Sequence, residues 1–509
     1  MSNPNPPVHP APAPRWFVGL AVLFLTVYGL FLATHATTVA GGSDSSGYLN
    51  SARLLAAGHL QAELRVPAEF GPPSGLNRAL FAPHGFFPHP GNAQLPPTYP
   101  VGLPLHFAVA GQLLGWHLGP LSVELGSALA ALCLCYLLGR ELGIGPFLAA
   151  AGAAVLGTCP VFIFTSIQPL SDTLATTWTL ATVYTAVRAR RHRGWAAASG
   201  VAFAVAVLVR PTNAVLLPAL VVLLGCDWRR LTLVALGGAP GALWLGYYNH
   251  TLYGGALRSG YLDWRAAFSS DYAPPTLLHF AHWLGLLLPA VLVVLPLAAP
   301  LARDFRNRTL VALALWFSAL VAVYACYEVS REVWWCLRFI LPALPALILA
   351  ALLGLEALAQ RLAATHRTAF LAATTAVLVV WAVAGSTYWT NRLGVLYTKG
   401  YEQVYADAGD AAKKLFPKDA LVLSLNTCGA LYAYTDFAIL RWEQLDPTQF
   451  ARFAALAQTA GRPICAVLFD TEEKDALRER CPGQWTRVRS VKNVGLWRLA
   501  PPPTPVPAQ

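Results

Sequence analysis

Long apolar blocks rich in leucine, alanine and valine alternate along the chain with short polar segments. A helix of about 20 apolar residues crosses the roughly 30 Å hydrocarbon core of a bilayer. The first block, 16–38, contains no Asp, Glu, Lys or Arg and is longer than the apolar stretch of a signal peptide. The pattern predicts an all-α polytopic membrane protein that begins with an uncleaved anchor, and cleavage near Ala40 is the alternative.

About eleven blocks have the length and composition of transmembrane helices. We place them at 16–38, 121–139, 146–166, 173–187, 195–209, 213–226, 231–248, 276–300, 310–327, 339–358 and 369–389. The block 100–116 is apolar but is broken by Pro104 and His106, so we predict an interfacial or re-entrant segment there instead of a crossing.

The arginines that flank these blocks predict the orientation of the chain. With the N-terminus inside, thirteen arginines fall in the inner segments and five in the short outer loops. An excess of basic residues is typical of cytoplasmic loops. We therefore expect a multi-pass inner (plasma) membrane protein with a cytoplasmic N-terminus and a periplasmic or extracellular C-terminal domain.

The same pattern divides the chain into four regions. They are a disordered cytoplasmic tail at 1–15, a membrane domain at 16–389, a soluble extracytoplasmic α/β domain at 390–500 and a Pro-rich tail at 501–509. The membrane domain includes a long first outer loop at 39–100. Within this loop, 48–60 has the spacing of an amphipathic helix on the membrane surface.

The soluble domain has its own alternation of apolar and polar positions. It predicts strands at 420–425 and 464–469, helices at 447–459 and 472–481, and one or two closing strands at 487–499. Cys465 and Cys481 are candidates for a disulfide if this domain lies in an oxidising compartment, and buried free thiols are the alternative. The nine cysteines of the chain show no metal-binding spacing.

Charge sets further limits on the function. Charged residues make up 12% of the chain, about half the share in a soluble domain. Many of the basic residues behind the net charge of +11 lie in short loops between apolar blocks, and no basic patch is interleaved with aromatic residues. We therefore expect a lipid bilayer around the protein and no nucleic-acid partner.

Two carboxylates stand at the outer ends of predicted spans. Asp44 follows the first span in Gly41-Gly42-Ser43-Asp44, and Asp172 begins a later span. An uncompensated charge at membrane depth costs about 2.5 to 3.5 kcal/mol, which makes such residues candidates for function. Each is either a catalytic group or a helix N-cap. Together they are also candidates for binding a substrate hydroxyl or a divalent cation.

Arginines at the same predicted level supply positive charge. Arg210 precedes Pro211 between two apolar blocks, and Arg338 precedes the block 339–358. They are candidates for binding a phosphate, with contacts to lipid headgroups as the alternative. Other polar side chains complete a predicted rim: His250, Arg258, Tyr261 and Asp263 in one outer loop, and Glu328, Arg331 and Glu332 in another.

These features together resemble the GT-C superfamily of glycosyltransferases over 16–389. The likeness rests on Asp44 after the first span, the Tyr48-Leu49 helix, Pro96-Pro97-Thr98-Tyr99-Pro100, Ser171-Asp172 and Arg338-Phe339-Ile340-Leu341-Pro342. The chain is most similar to the bacterial lipid A aminoarabinose transferases, the protein O-mannosyltransferases and the lipopolysaccharide-core transferases that use polyprenyl-phosphate sugars.

The resemblance implies an inverting transfer of a hexose or pentose from a polyprenyl-phosphate donor. The acceptor would be a hydroxyl of a lipid, glycan or protein at the outer face of the membrane. Asp44 corresponds to the general base of the family and Asp172 to its second carboxylate. The resemblance also favours a site without a metal or other cofactor, and a divalent cation is the alternative.

One element of the family pattern is missing. The family has a lysine before the Pro-Pro of the first loop, where this chain has Gln94 and Leu95. We therefore expect Arg210 or Arg338 to bind the donor phosphate, with Arg258 as a further candidate. The predicted substrate contacts are Tyr48, Tyr99, His250, Tyr261, Glu328 and Arg331.

Two other classes of function compete with this interpretation. A transporter or flippase also fits a polytopic chain, because the short blocks around Arg210 and Pro211 resemble a broken helix at a substrate site. The charged candidates, however, lie at the outer ends of spans instead of mid-bilayer. A non-catalytic scaffold or polymerase-type protein is the second alternative, and release of polyprenyl phosphate by the purified protein separates it from a transferase.

Overall fold

The computed structural model describes residues 14–71, 77–88, 94–261, 266–298 and 308–500. Nearly all of the predicted N-terminal tail, the C-terminal tail and Asp263 lie outside the described residues. The α-helices before the C-terminal segment are α1 (Arg15–His35), α2 (Ser43–Ala56), α3 (Gly102–Glu141), α4 (Pro146–Thr158), α5 (Pro160–Ser166), α6 (Ser171–Ala189), α7 (Trp195–Val209), α8 (Leu217–Leu224), α9 (Trp228–Tyr253), α10 (Ala273–Leu287), α11 (Ala290–Ala298), α12 (Arg308–Ala325), α13 (Leu344–Gln360), α14 (Ala364–Val380) and α15 (Ser386–Arg392).

Tighter or wider helical turns connect several of these helices. The 3-10 helices are Ala68–Phe70, Arg78–Phe81, Pro211–Leu216, Ser270–Tyr272, Glu328–Arg331, Trp334–Ala343 and Val395–Tyr397. A π-helical segment, Trp381–Gly385, joins α14 to α15. The chain is therefore mostly helical up to its C-terminal segment, as predicted.

The described residues of every predicted span are mostly helical, although some spans cover two helices, and fewer helices meet the requirements for a crossing. Within the described residues, five helical stretches are long and apolar enough, and a sixth is added if α4 and α5, bent by 63°, form one span. The five are Arg15–His35, Gly102–Glu141, Arg308–Ala325, Trp334–Gln360 and Ala364–Arg392. The count of eleven is therefore not confirmed. α7 and α8 are too short, and α6 is rich in threonine.

Helix α3 is interrupted at Gly115, where φ is 78° and ψ is 164°. A positive φ is accessible to glycine without the steric penalty of a Cβ atom. The helix consequently divides into two close to the break that the sequence predicts between 100–116 and 121–139. The interfacial position of the first part stays a prediction.

Helix α2 corrects the prediction of an amphipathic helix at the membrane surface. It begins at Ser43, ends at Ala56, and is buried continuously from Ser45 to Ala52. Several of these buried residues are serine or asparagine, and Asn50 donates a hydrogen bond to the carbonyl of Gly429 at 3.0 Å. The helix is therefore a packed internal element and does not present one apolar face to lipid.

The chain folds into two compact units. The first, the apolar unit, comprises Met1–Ala36, Pro120–Tyr248 and Leu262–Thr398. The second, the polar unit, comprises Thr37–Gly119, Asn249–Tyr261 and Lys399–Gln509. The polar unit therefore combines the long first loop, one later loop and the C-terminal segment, which the sequence predicts on the same side of the membrane.

Close helix packing characterises the apolar unit. A Cβ atom on Gly200 of α7 would lie 2.1 Å from the carbonyl oxygen of Val234 in α9, and one on Gly237 would lie 2.1 Å from that of Ala197. Small residues allow helix backbones to approach this closely, which is how helices associate in lipid.

A five-stranded sheet forms the core of the C-terminal part of the polar unit. Its strands are β1 (Leu421–Ser424), β2 (Ala438–Arg441), β3 (Ile464–Phe469), β4 (Trp485–Val491) and β5 (Val494–Leu499), in the order β2-β1-β3-β5-β4. β2, β1 and β3 are parallel, and β5 and β4 complete an antiparallel edge. The associated helices are α16 (Thr398–Leu415), α17 (Cys428–Tyr434), α18 (Pro447–Thr459) and the π-helical Asp475–Arg480.

Strand β3 shows why the two cysteines of this domain do not pair. Its successive side chains point to opposite faces of the sheet, so Cys465 lies in the core that includes Val404 and Phe416. Cys481 lies in the core on the other face, with Phe450 and Leu477. Both cysteines are free and buried, and the disulfide alternative is wrong.

Candidate active site

Asp44 lies in the first turn of α2. The N-cap of this helix is Gly42, so neither Asp44 nor a neighbouring serine occupies the capping position. The Asp44 carboxylate is partly exposed and accepts a hydrogen bond from the Tyr99 hydroxyl. The Ser43 hydroxyl lies 2.7 Å from the same Tyr99 oxygen, and it donates there if Tyr99 donates to Asp44. Ser43, Asp44 and Tyr99 therefore form one polar network.

Aromatic rings surround this network. The ring centroids of Tyr48 and Tyr99 are 5.0 Å apart, and those of Tyr99 and Tyr261 are 6.5 Å apart. Gly47 makes room for Tyr99, because a Cβ atom there would lie 2.4 Å from the Tyr99 ring. Burial raises the pKa of Tyr99 well above its usual value, and the charge of Asp44 raises it further. Tyr99 is therefore a neutral hydrogen-bond donor at physiological pH.

Glu402 of α16 lies against the turn that leads into α2. Its carboxylate accepts a hydrogen bond from the amide of Gly42 at 3.2 Å. Burial raises the pKa of Glu402 to about 7, the Gly42 hydrogen bond opposes that increase, and the charge of Asp44 adds to it. Glu402 was not identified from the sequence, since one acid on an amphipathic helix carries no signal of its own.

His84 is a second residue that the sequence analysis missed. Its amide donates to the Cys428 sulfur at 3.1 Å, which places the loop beside α17. Burial lowers the pKa of His84 to about 4, with a further lowering by Arg441 and an opposing effect of Asp44. The imidazole is therefore neutral at physiological pH.

Asp172, Arg210 and Arg338 form a separate cluster in the apolar unit. Arg210 Nη2 lies 2.8 Å from Asp172 Oδ1, and Arg338 Nη1 lies 3.7 Å from Asp172 Oδ2. All three residues are buried. The N-cap of α6 is Leu170, so Asp172 is not an N-cap. The predicted carboxylate Asp172 and the two predicted phosphate-binding arginines are thus brought together by their opposite charges.

Local backbone geometry places Arg210 in this cluster. Pro211 disfavours the helical conformation in the residue before it, and Arg210 accordingly ends α7 with φ −144° and ψ 109°. Its Nε lies 3.3 Å from the Ser171 hydroxyl, and its Nη1 lies 3.5 Å from the carbonyl of Phe339. Arg210 therefore connects the start of α6 to the segment that carries Arg338.

Glu124 is another buried carboxylate of the apolar unit, and it was not identified from the sequence. It lies in α3, its side chain is almost fully buried, and its charge interacts with that of Asp172. Glu124 lies within a predicted span, where the sequence pattern showed a single acid among apolar residues.

The other predicted site residues lie at more exposed positions. In the polar unit, His250 and Arg258 are exposed, and so is much of Tyr261. In the apolar unit, Glu328 is exposed and Arg331 lies over the ring of Tyr272 at 4.9 Å. Neither Glu328 nor Arg331 forms a described hydrogen bond or ion pair with Asp172. Among the described residues, no group of three or more His, Cys, Asp or Glu side chains is arranged to hold a metal ion.

The comparisons with known proteins agree on one type of fold. The model of the dolichyl-phosphate-mannose-protein mannosyltransferase family matches residues 98–243. The structure of ArnT from Cupriavidus metallidurans bound to undecaprenyl phosphate has a TM-score of 0.61 at 14% identity, over 96% of this chain and 98% of that chain. The chain has the fold of the GT-C glycosyltransferases.

Two further GT-C structures extend the comparison. The Archaeoglobus fulgidus oligosaccharyltransferase tethered to an acceptor peptide has a TM-score of 0.57 at 12% identity, over 94% of this chain and 74% of that chain. The mycobacterial arabinofuranosyltransferase AftD has a TM-score of 0.52 at 13% identity, over 96% of this chain and 42% of that chain. Comparison of the sequence with curated proteins finds no match.

The GT-C family-model match includes part of the candidate site. The matched residues, 98–243, contain Tyr99, Glu124, Asp172 and Arg210. Asp44 lies before this segment. The family-model match and the similar structures confirm the predicted resemblance to the superfamily.

Proposed function

We propose that this protein is a membrane glycosyltransferase that moves a sugar from a polyprenyl-phosphate-linked donor to a hydroxyl acceptor at the outer face of the membrane. The Asp44 network carries the proposal, because a hydrogen bond from the neutral Tyr99 hydroxyl holds the partly exposed carboxylate of Asp44 in the first turn of α2. The GT-C fold supports it. The similar ArnT structure is bound to undecaprenyl phosphate, and a similar archaeal oligosaccharyltransferase is in complex with a dolichol-phosphate.

Asp44 acts as the general base in this proposal. The acceptor oxygen attacks the anomeric carbon of the donor sugar while its proton passes to a carboxylate oxygen of Asp44. The bond between the anomeric carbon and the phosphate oxygen breaks, its electron pair stays with the polyprenyl phosphate, and the configuration inverts. General-base assistance of this kind contributes about 10² to 10⁴-fold. Tyr99 orients Asp44 through its hydroxyl.

Different tasks are assigned to the two arginines. Arg210 has contacts in three directions, to Asp172, Ser171 and the Phe339 carbonyl, so we assign it to holding the cluster together. Arg338 makes the longer contact with Asp172, at 3.7 Å, and we assign it to the donor phosphate. A guanidinium binds phosphate oxygens through paired N–H groups and stabilises the charge that develops as the sugar leaves. Asp172 positions both guanidinium groups, and the reaction as proposed involves no metal.

Incubation of the purified protein with a panel of polyprenyl-phosphate sugars tests the proposal. Mass spectrometry should detect free polyprenyl phosphate and a glycosylated acceptor with inverted anomeric configuration. The panel varies the sugar and the acceptor separately, so it also identifies both. Transport of the intact donor across proteoliposomes without cleavage would instead support the transporter alternative and contradict a transferase.

A further inference from the structure

A carboxylate from the C-terminal segment borders the turn before Asp44. Glu402 Oε2 accepts from the Gly42 amide at 3.2 Å, two residues before Asp44 in the chain. A Cβ atom on Gly41 would lie 1.8 Å from the same oxygen. The carboxylate therefore occupies the space that a side chain at position 41 would need, which gives the glycine at this position a steric reason.

We propose that Glu402 is a positioning residue for Asp44, and that its ionised form holds the Gly41-Gly42 turn and strengthens Asp44 as a base. This inference rests on the proposed function. An ionised carboxylate is a stronger acceptor for an amide than a neutral acid. Its negative charge also raises the proton affinity of a neighbouring carboxylate.

Charged and titratable groups from three helices act on Glu402. Asp44 of α2 interacts with it through charge, as do Tyr405 of its own helix and Tyr434 of α17. Burial raises the pKa of both tyrosines, so they remain neutral near pH 7. These two tyrosines therefore do not change charge near neutral pH.

A Glu402→Gln variant separates charge from structure. The amide oxygen of glutamine still accepts the Gly42 hydrogen bond, but the negative charge is absent. We expect kcat/KM of the wild type to rise as the pH passes about 7, and the profile of the variant to be flat there. At high pH the variant should be about three- to tenfold slower, since one pKa unit is a tenfold change in proton affinity.

Asp407→Asn is the matched control, because Asp407 lies on the same helix and accepts from Gln403 at 3.0 Å. It should keep the wild-type profile. Apparent Tm and donor affinity, measured on all variants, separate a positioning role from a folding defect. A Glu402→Gln variant with the wild-type pH profile overturns the inference.

An infrared measurement tests the same inference without turnover. The carboxylic acid C=O band that disappears in Glu402→Gln should titrate near pH 7 in the wild type and at a lower pH in Asp44→Asn. An unchanged midpoint in Asp44→Asn contradicts the coupling. Wild-type protein that transfers no sugar from any donor contradicts the proposed function instead, and the infrared result still decides the role of Glu402.

Discussion

Arg210 and Asp172 form a buried ion pair with Nη2 and Oδ1 2.8 Å apart. The Asp172 side chain is 1% exposed, and Arg338 approaches its other oxygen. Removing a charge from water is unfavourable by several kcal/mol unless a partner of opposite charge offsets it. Asp172 is therefore suited to holding two guanidinium groups, whereas the partly exposed Asp44 is suited to proton transfer.

Asp172→Asn should lower the stability of the protein more than it lowers the catalytic rate. The substitution leaves two buried cations without their shared anion, and breaking such a pair costs about 3–5 kcal/mol. We expect a lower apparent Tm and altered donor affinity, with a smaller loss of kcat than in Asp44→Asn. A loss of kcat equal to that of Asp44→Asn, at unchanged Tm, would reassign Asp172 as the base.

The two arginines should respond differently to substitution. Arg338→Lys keeps the charge but not the paired N–H geometry, so donor affinity should be only partly restored relative to Arg338→Ala. Arg210→Lys should mainly lower stability. Titration calorimetry with polyprenyl phosphate and thermal unfolding measure the two effects. Full recovery of donor affinity in Arg338→Lys would favour a role in contacting lipid headgroups.

Asp44→Asn should abolish most of the turnover. The amide cannot take a proton near neutral pH but still accepts the Tyr99 hydrogen bond, so kcat should fall about 10²-fold or more at nearly wild-type Tm and donor affinity. Asp44→Glu should keep part of the activity. Asp436→Asn, at an exposed position of the same unit, is the control. Turnover of Asp44→Asn near the wild-type rate would exclude Asp44 as the base.

Glu402 predicts a pH dependence of stability. Its pKa is about 7 in the folded protein against an ordinary value of 4.5, so the folded state holds a proton that the unfolded state releases between these values. The contribution of this proton to the free energy of unfolding is fully present below pH 4.5 and is lost as the pH rises to about 7. The loss is at most about 3 kcal/mol.

Glu402→Gln lacks this titration. Its apparent Tm should exceed that of the wild type above pH 7, and the difference between the two proteins should become independent of pH below 4.5. Hydrogen exchange of α16 amides provides a local measurement. Parallel Tm curves for both proteins from pH 4 to 8 would show that Glu402 does not titrate in this range.

The orientation predicted from the arginines can be tested with reporters. A fusion after Arg193 should report the cytoplasm, and a fusion after Gly400 should report the outside, because basic loops stay on the cytoplasmic side. Reporters on the same side of the membrane would require a different number of crossings between these positions.

Much of the helical fold can be predicted from the spacing of apolar residues and the length of the apolar blocks. The predicted strands 420–425 and 464–469 overlap β1 and β3, and the predicted helix 447–459 is α18. β2, Ala438–Arg441, was missed, since four residues after a short helix give too little alternation to recognise.

Long-range pairing explains what the sequence does not show at the site. Asp44 was identified from its place after the first span, but its relationship to Glu402 depends on a contact between distant segments. Arg210 and Arg338 were predicted as separate cations, and their shared anion appears only in the folded chain. A single sequence carries no record of such pairs.

The hydrogen bond between Gly42 and Glu402 spans 360 positions of the chain. At about 5–20 residues per second, a ribosome needs roughly 20 to 70 seconds to travel that distance. During this time the loop with Asp44 exists without the helix that borders it. The turn before Asp44 is thus completed only after α16 has been made, and a chain that stalls before α16 holds Asp44 in an unfinished setting.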